Sequence, residues 1–170
     1  AFENMVRQVT WTVTGSNGAF VEDNMAGMSQ SWEDFIAEAL SKLQYGFAYH
    51  EIVYVERDGK VMWRKLPIRA QDTIVRWEFD DSGGVQGAWQ QTQSGSYRQV
   101  FIPIDKALHF RTSAKRNNPN GRSVLRTAYR SWWFKKRIEE IEAIGVERDL
   151  AGIPIIEVPA EILASSAPAE

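Results

Sequence analysis

Residues 48–66 read AYHEIVYVERDGKVMWRKL, and the Asp58-Gly59 pair inside them decides the fold. An Asp-Gly turn between runs of β-branched and aromatic residues is a strong hairpin signal, because both turn positions must take positive φ and that twist suits two paired strands. The pair therefore joins strands over Ala48–Glu56 and Lys60–Leu66. The arrangement recurs downstream. Thr73–Phe79 and Val85–Gln91 flank the turn residues DDSGG, and Tyr97–Ile102 and Ala107–Thr112 flank Pro103-Ile104-Asp105-Lys106. Six or so strands then follow one another, mostly in sequential antiparallel order. Before them, Ser29 or Ser31 can cap an amphipathic helix over about 32–45, with Phe35, Ile36, Ala39, Leu40 and Leu43 on one face and Gly46 placed as its left-handed stop. Further upstream, Val6–Thr14 alternates and reads as a strand, closed by the Ser16-Asn17-Gly18 turn. A run of hairpins bounded by helices, with no βαβ alternation, gives an α+β class.

Ser113–Gly121 (SAKRNNPNG) is a loop, and a long helix follows over about 123–146. Its apolar residues change phase. Leu125, Ala128, Tyr129 and Trp132 share one stripe; Phe134, Ile138 and Ile141 lie roughly opposite. The first stripe is expected to pack on the β-rich part and the second to meet another element or subunit. Beyond Gly152, Ile153–Val158 reads as one more strand, and Ala164–Glu170 as a disordered tail.

Composition narrows the function. Twenty Lys and Arg against 22 Asp and Glu give a net charge of −2, which argues against tight DNA binding while leaving room for a local basic patch. The absence of Cys excludes disulfides, a thiol nucleophile and thiolate metal sites. No run of about 18 apolar residues indicates a membrane span, and no secretory signal opens the chain. His50 and His109 sit in expected strands with no partner at metal-ligand spacing, so both read as structural. Asp80-Asp81 and Gly83-Gly84 read as a solvated hairpin tip, since neither phosphate-loop spacing nor a strand-to-helix context surrounds them. No catalytic residue, metal, nucleotide or cofactor is expected.

The charged candidates cluster at the long helix. Lys115, Arg116, Arg122, Arg126 and Arg130 gather around its start, where a phosphate contact and inter-subunit ion pairs are both open readings. Lys135, Lys136 and Arg137 precede Glu139 and Glu140, with Lys135–Glu139 and Lys136–Glu140 at i, i+4 in the less favourable order. These residues could serve DNA or a neighbouring subunit as well as a solvated face.

Several segments, in this order, carry a resemblance: WEDFIAEALSKLQYGFAYHEIVY (32–54), Asp58-Gly59, WRKLPIRAQDTIVRW (63–77), FDDSGGVQG (79–87), PIDKALHFR (103–111), NNPNGRSVLRTAYRSWWFKK (117–136) and EEIEAIGVERDLAGIP (139–154). Together they resemble the portal, or head-to-tail connector, proteins of tailed phages, closest to the Mu-like branch. The resemblance implies a dodecameric ring at one capsid vertex, in the virion and assembled in the host cytoplasm. Double-stranded DNA would pass through its axis non-specifically during packaging and ejection, and terminase, capsid and head-tail adaptor proteins would dock on it. It implies a wing-like domain over 1–122, a helix over 123–150 leading toward the stem, and the start of a clip-like segment over 151–170. Family members are longer, so it also implies a fragment without the returning stem helix, tunnel loop and crown. Two other classes remain: a non-catalytic α+β interaction module, and an enzyme whose site the spacing does not reveal.

Overall fold

The computed structural model describes residues 2–91, 98–152 and 157–161. Five helices, α1 (Phe2–Arg7), α2 (Gly18–Gly27), α3 (Trp32–Leu40), α4 (Lys42–Tyr45) and α5 (Leu125–Ala151), surround and follow eight strands. The strands are β1 (Phe47–Glu51), β2 (Val53–Arg57), β3 (Lys60–Lys65), β4 (Ile68–Arg69), β5 (Ile74–Phe79), β6 (Val85–Gln91), β7 (Gln99–Pro103) and β8 (Ala107–Arg111). All pairings are antiparallel. The class is α+β with a long C-terminal helix. No helix among the described residues is long and apolar enough to cross a membrane. The chain divides into two compact units, Ala1–Thr127 and Ala128–Glu170.

The Asp58-Gly59 turn forms as its residues require, with φ of 51° and 71°, and joins β2 to β3. The strand before it differs from the sequence expectation. It breaks at Ile52, whose N–H donates to Lys106 O at 2.8 Å, so β1 leaves the hairpin. β1 instead lies between β4 and β8, from Phe47↔Arg111 to Glu51↔Ala107. Sequential order thus holds for β2-β3 and for β5-β6-β7, but β1 and β8 close the unit from its two ends.

β1 is buried on both faces, which explains its composition. On one side Phe47 and Tyr49 form the core with Ala88 and Ile102, backed by Ile74, Trp77, Ile104 and Ala107. The Tyr49 hydroxyl donates to Ile102 O at 2.9 Å, satisfying a buried polar group across two sheets. Burial, helped by Asp105, pushes that phenol up to about 12. On the other side His50 and Phe110 take the ring of Phe35 from α3, at 5.0 and 6.2 Å between centroids. Ser31 caps α3 through the Asp34 N–H, and Gly46 ends α4 at φ 101°.

Other sequence expectations change as well, and one helix is new. Val6–Thr14 forms no strand: α1 occupies Phe2–Arg7, and residues 8–14 lie outside any ladder. There the Val9 N–H turns back to Val6 O and the Val13 N–H to a Glu22 carboxylate oxygen, so β propensity goes unmet for want of a neighbouring edge. α2 was not foreseen because its apolar residues share no single face. It is held by Asn24, which donates to Phe20 O and accepts from the Trp63 N–H, both at 2.8 Å. The long helix runs on to Ala151, through Gly145, whose cost of about 1 kcal/mol cannot stop it; it ends before Gly152 at φ 72°. The expected strand at Ile153–Val158 lies mostly outside the described residues, and Glu157 and Val158 are not in a strand. Tyr97 and the Ala164–Glu170 tail also lie outside them.

Candidate functional site

The loop after β8 is anchored at many points. Thr112 begins the anchoring. Its N–H donates to Gly46 O at 3.0 Å, and its hydroxyl donates to Arg122 O at 2.6 Å while accepting the Arg122 N–H at 2.9 Å. Gly121, at φ 56°, passes so close to Gly46 that a Cβ would stand 2.1 Å from the Gly46 carbonyl oxygen. The Val124 N–H then donates to Leu43 O at 3.0 Å. Within the loop, Asn118 accepts from the Asn120 N–H at 3.0 Å and donates to Gly121 O at 3.2 Å. Arg111 reaches Asn117 Oδ1 and Asn118 O at 3.3 and 3.4 Å, and the Asn117 amide donates to Gly83 O.

Two aromatic side chains of the core complete the clamp. His109 stacks on Trp77 at 4.8 Å, its Nε2–H meets Pro119 O at 2.9 Å, and the Trp77 indole N–H donates to Asn120 Oδ1 at 2.8 Å. Burial pulls the His109 pKa down to about 4, with Arg111 acting in the same sense, so the imidazole is neutral at pH 7. His50, buried, is also shifted down by burial and holds Leu66 O through Nδ1 at 2.9 Å. Both histidines are structural donors. At the hairpin tip, Asp80 gathers Ser82 and Gly84, and the Ser82 hydroxyl followed by the Gly84 N–H hold its carboxyl below the usual range.

This framework presents cations. Lys115, Arg116, Arg122 and Arg126 line one hollow of about 370 Å³ together with Ser113, Asn118 and Gly121. Arg116 and Asn117 both sit in the left-handed region, at φ 58° and 51°, which costs on the order of 1 kcal/mol for Arg116. None of the four cations pairs with a carboxylate among the described residues. The first two amides of α5 are already engaged, Leu125 N–H by Ser123 Oγ and Arg126 N–H by Ser123 O, so the cationic character of the hollow comes from its side chains.

The other candidates stay on the helix. Arg130 does not line the hollow; its guanidinium lies over the Phe134 ring at 5.6 Å. Lys135 pairs with Glu139 at 3.5 Å. Glu140 pairs with Arg137 at 2.8 Å instead of Lys136, which lies over Trp132 at 5.7 Å. The expected burial of the first stripe is overturned: no residue of α5 is buried, and Tyr129 and Trp132 are 62% and 54% exposed. The aromatic rings cover one another along the helix, Tyr129 with Trp132 and Trp133 with Phe134, and the cations shield their faces. Phe134, Ile138 and Ile141 are exposed as well.

Sequence reasoning found the cations but missed Thr112, Arg111 and the Trp77–His109 stack, which hold the loop still. The Asn-Asn-Pro-Asn-Gly run signalled a special backbone; nothing signalled Arg116 at positive φ. The family model described as the portal protein of Mu bacteriophage matches residues 3–166, nearly the whole chain. No individual curated protein matches significantly.

Proposed function

The chain belongs to the family of Mu-like phage portal proteins, and from that premise we propose that it is a structural subunit of the ring at the capsid vertex. The ring forms the channel for DNA packaging and ejection, and it is the docking site for terminase and for head-tail adaptor proteins. The observation that carries this reading is α5: 27 residues with apolar groups on both sides and none of them buried. Leaving a large apolar side chain in water costs about 1.5–3 kcal/mol relative to burial, so Phe134, Ile138, Ile141 and Ile144 call for a partner. In a ring, that partner is a neighbouring subunit or a returning stem helix.

The subunit works without catalysis. Each imidazole gives one ring nitrogen to a backbone carbonyl, Leu66 O for His50 and Pro119 O for His109, which is a structural use. DNA passes without a sequence-specific grip, in keeping with a net charge of −2. The wing-like part is residues 1–122, with the helix leading toward the stem.

Electron microscopy of the purified portal protein, alone and as the Ile138→Asp variant, tests the reading. Closed rings in the first and none in the second, with circular dichroism unchanged, are the expected results. A stable monomer that forms no ring in any context would move the chain to a non-catalytic α+β interaction module.

A further inference from the structure

We infer that the hollow between β8 and α5 is a phosphate-binding site, with Arg122 and Arg126 as its principal ligands and Lys115 and Arg116 completing it. The inference stands on the geometry of this loop and does not depend on ring assembly.

Four considerations lead there. Lys115, Arg116, Arg122 and Arg126 line a single hollow and have no carboxylate to neutralise them among the described residues, so they repel one another until an anion arrives. In a chain whose overall charge is −2, such a concentration is local, not a by-product of a basic composition. A single carboxylate carries too little charge and too few acceptor oxygens to satisfy three guanidinium forks and an ammonium, whereas a phosphate group offers several oxygens to planar donors that suit it. Ser113 and Asn118 add neutral polar groups to the same wall.

Preorganisation is the fourth. A flexible basic loop would lose much of its attraction to the entropy of ordering. This one is already ordered by Thr112, by the Gly46–Gly121 approach, by the Asn118 turn and by the His109 and Trp77 bonds to Pro119 and Asn120. Arg116 is held in the left-handed region beside Asn117, an arrangement that exposed loops do not adopt without constraint. Arg122 is anchored through its backbone N–H and C=O, so its side chain is not needed for the anchoring.

Two sources supply this chemistry, free phosphate and the backbone of a nucleic acid, and the experiment separates them. Amide NMR spectra of the chain are recorded while sodium phosphate is added at constant ionic strength, with sodium chloride as the control. Saturable shifts confined to residues 113–126, absent with chloride, are expected. Arg122→Gln and Arg126→Gln should each weaken the binding by roughly tenfold, the usual worth of one charge-assisted hydrogen bond. Lys60→Gln, an exposed cation elsewhere, should leave it unchanged. A short DNA duplex is then added at low salt. If it shifts the same amides and phosphate displaces it, backbone phosphates are the ligand; if it does not, the site takes free phosphate. Shifts that chloride reproduces, no saturation, or variants that bind as the wild type does would overturn the inference. The glutamine variants keep the Thr112 bonds to the Arg122 backbone, and an unchanged spectrum outside residues 113–126 verifies that they fold.

Discussion

β1 and α5 are built from similar residues and use them in opposite ways. β1 buries Phe47, Ala48, Tyr49 and His50 on both faces within five residues. α5 carries Tyr129, Trp132, Trp133, Phe134 and four isoleucines and valines over 27 residues and buries none of them. Apolar content alone therefore says little about where a chain's stability resides. What separates the two is the company of their rings: β1 has a strand on each edge, a sheet in front and a helix behind, whereas the aromatic rings of α5 pack on one another along the helix. The buried side chains that hold the fold together belong to the first region.

The contrast can be broken most forcefully at Phe47. Phe47→Ala should destabilise the fold by about 3–5 kcal/mol, because the ring packs edge-on against Trp77 and His109 and the space cannot collapse. Urea unfolding read by tryptophan fluorescence measures it. A loss below about 1 kcal/mol would mean that the core lies elsewhere.

Gly121→Ala should cost about 2–3 kcal/mol, since it combines a left-handed φ with a Cβ placed 2.1 Å from a backbone oxygen that cannot swing aside. The same unfolding curve reports it, and Gly59→Ala, also left-handed but facing open space, should cost less.

Acid gives the next effect. The folded His109 titrates near 4 and the unfolded residue near its ordinary 6.5, so between those values the unfolded chain binds a proton that the folded chain does not. The contribution is fully present above pH 6.5 and is lost as pH falls toward 4, by about 1–3 kcal/mol once partial exposure is discounted. His50, shifted the same way, adds to the slope. Unfolding midpoints across this range in the wild type and in His109→Gln should differ in slope; parallel curves would count against the assignment.

The smallest effects fall on α5. Trp132→Ala and Ile138→Asp should each change monomer stability by no more than about 0.5 kcal/mol, as exposed substitutions do, since these side chains are 54% and 61% exposed. Sedimentation should show self-association weakened by Ile138→Asp. If Ile138→Asp unfolded the chain, the second stripe would be core and the comparison with β1 would fail.

The sequence made the hairpins legible wherever turn chemistry was explicit, at Asp58-Gly59 and at Asp80–Gly84, because local φ requirements and alternation agree there. It misled where a decision needed a distant partner. Val6–Thr14 has the pattern of a strand and no edge to join, and β1 leaves its hairpin for a strand near the far end of the unit. The rotation of apolar stripes on α5 was readable, but its meaning was not: periodicity tells that a face is apolar, not that anything covers it. At the basic loop, residue types gave the cations, while the bonds that converge them join Thr112, Gly46 and Asn118 across the fold, and local turn signals at Gly46 and Asn118 do not say what either residue will meet.

The bond between Thr112 and Gly46 spans a sequence separation of 66. Non-local contacts of that kind are slow to form, because the intervening chain must be ordered before they repay its entropy. During synthesis at about 5–20 residues per second, roughly 3 to 13 seconds pass between the two ends leaving the ribosome. The Thr112 N–H can reach Gly46 O only once β8 has paired with β1, so the loop that carries Arg122 to the start of α5 is seated after that pairing.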